Sequence, residues 1–515
     1  MSWSGNSLRC LAILRRRAET SALFGNYARE RDRVRSAGIP SRRRAPRPGR
    51  VRPKRPSDRR VRLRHTDRGI CCRVTPTSVD LVIESRWTVP VEPSGLVLTD
   101  HAVVINNGII VEVLPSAEAR NRYRPAETVT LPEHVLIPGL INSHTHAPMT
   151  LLRGIDDDLP LHVWLEERIW PAERKWVSSE FIHDGTSLAV AEMLSGGVTC
   201  FADMYFFPVV AADCARSMGM RMVCGEALFD GPTNSSLNPQ QCLERAITMH
   251  ESLASSDDTL ITLALTPHAP YTVSDDLWRQ VAELADELDV PVHTHLHETA
   301  LEVRESLSTH GERPTERLAN LGVVTDRLVA AHMTQLSDSD VNLLTEAGAH
   351  IVHCPESNLK LASGFGSVHR MTEAGINVAL GTDGAASNND LDMLGEMRTA
   401  ALLAKAVSGD AAALPAPAAL RMATLAGAQA YRIADRVGSI EVGKQADLTA
   451  VDLSAIACQP VYDPITQLVY TATRDQVTDV WVQGKRKLSS RELVGVDLDQ
   501  LRSVAEKWRD RLSRR

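Results

Sequence analysis

The feature that most constrains this chain is a long alternation between residues 135 and 432, in which strand-like apolar runs take turns with helical stretches. Residues 198–204, 221–227, 260–265, 290–296, 328–331, 350–352 and Asn377–Leu380 read as short buried strands. Helical texture fills the gaps, as over Asp275–Leu288 and 337–347. The run Val135, Leu136, Ile137, ended by Pro138 and Gly139, reads as the first strand of the series. Eight βα units of this size predict an α/β fold built on a TIM barrel. Such barrels keep their chemistry at the C-terminal ends of the strands.

Those ends carry the residues that matter. His144 and His146 follow the first strand one residue apart, and on extended backbone i and i+2 side chains share a face. With His295 and Asp383 from two other strand ends they form a candidate metal set. Neutral imidazoles plus one carboxylate suit zinc above all, with iron and manganese as alternatives. Any one of these histidines alone would read as a hydrogen-bonded core residue; three with an aspartate, in order around a barrel, do not. Glu298, three residues after His295, could take and deliver protons beside a metal-polarised water, or simply start a helix. His332 could hydrogen-bond the attacking water, and Asp383 could accept its proton. The fourth strand ends in Thr266-Pro267-His268-Ala269-Pro270, without the lysine that two-metal sites of this architecture use as a bridge. One divalent ion per subunit is therefore expected, with His268 as a substrate contact in preference to a spare ligand.

The flanks of the barrel differ in texture. Residues 76–134 hold short alternating runs, with Asn106-Asn107-Gly108 as a hairpin turn. Residues 433–495 return to strand texture, so one small β domain is expected from both flanks, followed by a terminal helix within 496–515. Residues 1–75 stand apart. Through Pro76 the chain carries 22 Lys and Arg against 5 Asp and Glu, whereas the remainder carries 35 against 59. This Arg/Pro-rich head reads as a disordered tail or as a leader upstream of a start near Val74. Against this stand a transit peptide, a membrane-surface arm and, as a third reading, a nucleic-acid-binding arm. The acidic body and the lack of aromatics among the arginines count against it, so no nucleic-acid partner is expected.

With 43% hydrophobic residues the chain can bury a large core, and no apolar run approaches the roughly 20 residues of a membrane-spanning helix. Its nine cysteines include no CxxC pair, which suits buried thiols in a reducing, cytoplasmic setting.

The stretches PGLINSHTHAPMTLLRG, TPHAPYT, HLHET, AAHMTQ, HCPESNLKLASGFG and LGTDGAASNNDLDMLGEMRTAALLAK resemble the amidohydrolase superfamily. Within it they are similar to the 5-methylthioadenosine/S-adenosylhomocysteine deaminases of the TRZ/ATZ group. The resemblance implies a distorted TIM barrel with a composite β-sandwich. It also implies metal-dependent removal of ammonia from a 6-aminopurine nucleoside, and a homo-oligomer would be the ordinary expectation. It implies further that Trp164 packs on the purine, Glu173 holds the ribose hydroxyls and His268 contacts substrate. Glu298 would meet the purine N1, and His332 would assist at the reacting carbon. On sequence alone Trp164 and Glu173 are ordinary amphipathic-helix residues. The same machinery on guanine, a pterin, cytosine or a triazine is the alternative; the ribose-facing Glu173 favours a nucleoside. Some members carry a substrate-binding arginine after the third strand. Here that place reads Cys224-Gly225-Glu226-Ala227, and the next arginine is Arg245.

Overall fold

The computed structural model describes residues 76–155 and 157–513. The basic head expected over 1–75 lies outside the described residues. The first strands are β1 (Thr77–Thr88), β2 (Leu98–Asn106), β3 (Ile109–Pro115) and β4 (Tyr123–Pro138). The barrel strands are β5 (Leu140–Thr145), β6 (Val198–Tyr205), β7 (Arg221–Leu228), β8 (Ile261–Leu263) and β9 (Thr266–Pro267), then β10 (Val292–Leu296), β11 (Leu328–His332), β12 (His350–His353) and β13 (Asn377–Leu380). Last come β14 (Leu448–Asp452), β15 (Val477–Val482), β16 (Lys485–Ser489) and β17 (Glu492–Leu493), with a helix Leu498–Leu512 closing the chain.

Both flanks contribute to one eight-stranded sheet, ordered β17-β16-β15-β14-β4-β1-β2-β3. Its far edge curls back onto the chain before β14, where Ile110 N donates to Lys444 O at 2.8 Å and Gly443 N donates to Ile110 O at 2.9 Å. Ile83, Val103, Ile105, Leu136, Leu448 and Trp481 fill the interior so formed. The β2–β3 hairpin turns through Asn107 and Gly108, both at positive φ, as the Asn-Gly pair requires. The run Val135 to Ile137 belongs to this sheet, not to the barrel as its sequence suggested: β4 pairs with β1 and β14. A fully buried strand has the same apolar texture in either sheet, so only pairing distinguishes them. The change of sheet falls at Gly139, and the barrel's first strand is β5.

The barrel consists of two parallel sheets, β5-β6-β7-β8 with β9 beside β7, and β10-β11-β12-β13. Two seams close it. At one, Leu265 N donates to Pro291 O and His293 N to Leu265 O, each at 2.8 Å. At the other, Asp383 N donates to His144 O at 2.9 Å. Gly381 makes the second seam possible, because a Cβ there would stand 2.7 Å from the backbone nitrogen of His144. The missing side chain thus lets two ligand-bearing strand ends meet.

Sheet and barrel are joined by a buried ion pair. Arg221, at the start of β7, donates from Nε and Nη2 to the two oxygens of Asp447 at 3.0 and 3.2 Å, and from Nη1 to Thr259 O. Both side chains are sealed from solvent. Removing one partner would leave the other charge buried and unpaired. Arg221→Ala should therefore destabilise the protein by about 3–5 kcal/mol, read as a lower urea midpoint with an unchanged slope; a loss under about 1 kcal/mol would contradict the pairing.

Candidate metal centre and catalytic cavity

His144 lies within β5, His146 one residue beyond it, His295 in β10 and Asp383 just after β13. One ligand atom from each gathers so that all four lie within 4.8 Å of one another. His146 Nε2 stands 3.1 Å from His295 Nε2, and Asp383 Oδ1 stands 3.4 Å from His144 Nε2 and 3.3 Å from His146 Nε2. Ligands held about 2.0–2.1 Å from a tetrahedral ion lie about 3.3 Å apart, so the spacing fits a zinc-sized ion. His144 Nε2 is buried with no hydrogen-bond partner, as a nitrogen reserved for a metal would be.

Each ring is aimed by its other nitrogen. His146 Nδ1 donates to Met204 O at 2.7 Å, and His295 Nδ1 to His268 O at 2.8 Å. His144 Nδ1 pairs with His293 Nε2 at 2.8 Å. Tyr431 decides the direction of that bond: its hydroxyl donates to Ser143 O at 2.5 Å and lies 3.3 Å from His293 Nδ1. With the phenolic proton committed, His293 Nδ1 must donate to Tyr431, so His293 Nε2 accepts from His144 Nδ1. The network thus assigns a bare lone pair to His144 Nε2. Asp383 is fixed just as firmly, since Ser357 and Ser387 both donate to its Oδ2 at 2.7 Å and Gly384 N to its Oδ1 at 2.8 Å.

Burial works against the Asp383 charge, but His144 and His146 hold its carboxyl well below the usual carboxylate range. Burial pushes His144 down to about 4 and His268 down to about 3, and holds His295 well below the usual imidazole range, so these rings are neutral at working pH. For His146 burial acts in the same sense, yet Asp383 outweighs it and raises the ring to about 9. With that proton the donor set is net neutral, and a cation taking the proton's place would meet three neutral imidazoles and one carboxylate.

His146, His295 and Asp383, with the fully buried His144 beside them, close the floor of a cavity. Every remaining residue singled out from the sequence lines it: Trp164, Glu173, His268, Glu298 and His332. Trp164 and Glu173 are nine residues apart, which on an ideal helix at about 100° per residue would face them oppositely. Between them, Leu165–Ile169 is a π-helical segment, and its wider turn rotates both toward the cavity. That irregularity is why sequence periodicity could not place them. Glu173 accepts from the Tyr205 hydroxyl at 2.6 Å, and burial lifts it to about 7. His332 Nδ1 donates to Asn358 Oδ1 at 3.0 Å, which leaves Nε2 toward the cavity. Burial also raises Glu298, with His332 opposing.

Sequence reading missed the aromatic wall of Tyr205, Phe206, Phe229 and Tyr271. Phe229 stacks on His268 with ring centroids 4.4 Å apart. The first three stand at or just past the ends of β6 and β7, so the strand-end rule that found the histidines could have found them too. Arg245 does not take the place of the absent arginine. It is drawn away to Glu226 at 2.5 Å and Ser236 at 2.7 Å, and no described residue lining the cavity is Lys or Arg.

Comparison with known proteins agrees with this geometry. Residues 135–487 match the model of the amidohydrolase family. Two relatives named 5-methylthioadenosine/S-adenosylhomocysteine deaminase, from Saccharophagus degradans and Teredinibacter turnerae, are 46% and 44% identical; the matches cover 84% and 85% of this chain and 96% and 98% of theirs. The crystal structure of an adenosine deaminase from Xanthomonas campestris with bound zinc is 53% identical. It has a TM-score of 0.84 and covers 85% of this chain and 100% of its own. The chain belongs to the amidohydrolase family.

Proposed function

We propose that this protein hydrolytically deaminates 6-aminopurine nucleosides bearing a 5′-thio substituent, converting 5′-methylthioadenosine to 5′-methylthioinosine and S-adenosylhomocysteine to S-inosylhomocysteine. The observation that carries the reading is that Glu298, His332 and Asp383 open onto one cavity with His146 and His295, two of the three histidines whose ligand atoms converge, while Trp164 and Glu173 line the same space. His144, His146, His295 and Asp383 hold one divalent ion, zinc in this reading, which supplies Lewis acidity that lowers the pKa of water to about 7.

The remaining steps belong to the chain's own residues. Trp164 packs on the purine and Glu173 accepts from the ribose hydroxyls, which sets C6 over the cavity floor. Asp383 takes a proton from the attacking water as its oxygen bonds to C6. Glu298, whose carboxyl burial raises above the usual carboxylate range, delivers a proton to N1. His332 Nε2 accepts from the hydroxyl being added, and fixed dipoles around the tetrahedral C6 stabilise its charge. The C6–N bond then breaks: the amine takes the proton held by Asp383 and leaves as ammonia, the C6 hydroxyl gives up its proton to restore Glu298, and the inosine analogue remains. His268, neutral and stacked on Phe229, contacts the substrate's flank. The aromatic wall suits an apolar thioether. The domain reading follows the same lines, with a composite β domain supporting a metal-dependent barrel. The six cysteines among the described residues are free and buried, which suits a reducing cytoplasmic setting.

The test is ammonia release by the zinc-loaded full chain from methylthioadenosine, S-adenosylhomocysteine, adenosine and guanine in parallel. Fast turnover of the thio-nucleosides is expected; activity confined to guanine would overturn the substrate assignment. Glu298→Gln should lower kcat by at least about 10²-fold with zinc still bound. Chelation should abolish activity and lower the melting temperature. Restoring free zinc at about a hundred times its Kd should return about 2.7 kcal/mol of stability, and an unshifted melting curve would refute the metal assignment. Glu173 gains its charge as pH rises through about 7, and a carboxylate accepts from both hydroxyls of a diol more readily than the acid does. The KM for methylthioadenosine should therefore fall across that range, and Glu173→Gln should flatten the profile.

A further inference from the structure

Glu302 begins as an ordinary feature of the sequence. Thr299-Ala300-Leu301-Glu302 has the spacing of a capping box, and Thr299 is the N-cap of helix Ala300–His310. Thr299 Oγ1 accepts from Glu302 N at 3.3 Å, as such a cap should. The Glu302 side chain does something further. It reaches past the N-cap, and its two oxygens accept from two consecutive amides, His297 N at 3.0 Å and Glu298 N at 2.8 Å.

Those amides belong to the turn that carries Glu298 off the end of β10. The turn is tight, with His297 in the left-handed region at φ 51°, a costly conformation for a residue with a Cβ. It is gripped from the opposite side as well. Thr334 N donates to His297 O at 3.0 Å, and Thr334 Oγ1 donates to Glu298 O at 2.8 Å. The amide face of the Glu298 turn therefore rests on a buried carboxylate and its carbonyl face on a buried threonine. Glu302 is 6% exposed, and burying a carboxyl at a helix start is expensive when an exposed one would cap as well.

We infer that Glu302 is a positioning residue for Glu298: its carboxylate clamps the backbone of the turn after β10 and so aims the Glu298 side chain at the substrate. The inference rests on the proposed role of Glu298 as the proton donor to N1. Displacement of a catalytic group by about 1 Å costs about 10²-fold in rate, so a clamp on its backbone is worth its burial. A glutamine at 302 has the same size but only one acceptor oxygen, and its NH₂ would have to face a backbone N–H.

The experiment compares four variants of the zinc-loaded full chain on methylthioadenosine. Assays run above pH 8, since burial lifts the Glu302 carboxyl to about 8. Glu302→Gln should lower kcat by about 10- to 100-fold with KM and zinc content unchanged. Thr299→Ala, which weakens the helix start but spares the clamp, should lower the melting temperature and leave kcat unchanged. Thr334→Val loosens the same turn from its carbonyl side and should repeat the kcat loss at constant KM; it carries the test alone if Glu302→Gln does not fold. Glu298→Gln is the reference for the underlying reading. If Glu298→Gln is inactive while Glu302→Gln and Thr334→Val turn over at the parent rate, the inference fails and the function stands. An equal kcat loss in Thr299→Ala would assign the effect to helix stability and also overturn it. An active Glu298→Gln would remove the proposed proton donor itself, and with it the role of Glu302.

Discussion

The site depends on what each metal-facing imidazole does with its second nitrogen. A buried histidine can present a lone pair from Nε2 only if Nδ1 carries the proton and has somewhere to give it. For His146 the acceptor is Met204 O on β6, for His295 it is His268 O beyond β9, and for His144 it is His293 Nε2 on β10. Every acceptor comes from a part of the barrel other than the strand that carries the ligand. The donor set is thus a property of the closed barrel, and it exists only once the two seams between the parallel sheets have formed.

Closure in turn relies on absent atoms as much as on bonds. Gly381 brings the end of β13 against the backbone of His144, and the hydrogen bond from Asp383 N to His144 O fixes the carboxylate beside the first histidine. Asp203 does the same from the other side, accepting from Ala147 N at 2.6 Å and Thr145 Oγ1 at 2.9 Å, so the chain after β5 holds His146 in place. Burial pushes that carboxyl up to about 6. The interior therefore concentrates polar groups where a cation would offset their desolvation, and the cavity above them is walled largely by aromatic and aliphatic side chains. A dry wall beside a polar floor is the arrangement in which fixed dipoles act most strongly on a reacting atom.

Much of the site was legible beforehand, for a definite reason. Histidines and carboxylates at strand ends are informative because barrel topology sends all those ends to one rim, whatever the loops between them do. His146, His295, Asp383, Glu298, His332 and His268 were found by that rule and line one cavity, and His144, found with them, joins its metal-facing group from behind the lining. Trp164 and Glu173 lay beyond it, since they sit in a helical segment whose π turn changes the period that sequence reading assumes. The aromatic wall was within reach of the rule but lacked a titratable group to draw notice.

The limits of sequence show most clearly at Val135 to Ile137. An apolar run of that length states that a strand is buried and says nothing of which neighbours it pairs with. Its place in the eight-stranded sheet was decided by hydrogen bonds to β1 and β14, the latter more than 300 residues further along the chain. Arg245 teaches the same lesson: from the sequence it was the next cation after the third strand, whereas in the fold Glu226 and Ser236 draw it out of the cavity lining. The sequence by itself determined the alternating architecture, the donor types and their order around the barrel, because these depend on local periodicity and side-chain chemistry. Tertiary structure alone decided the tautomers, the direction of each charge and the clamp beneath Glu298. Those depend on atoms that meet only when distant strands close upon one another.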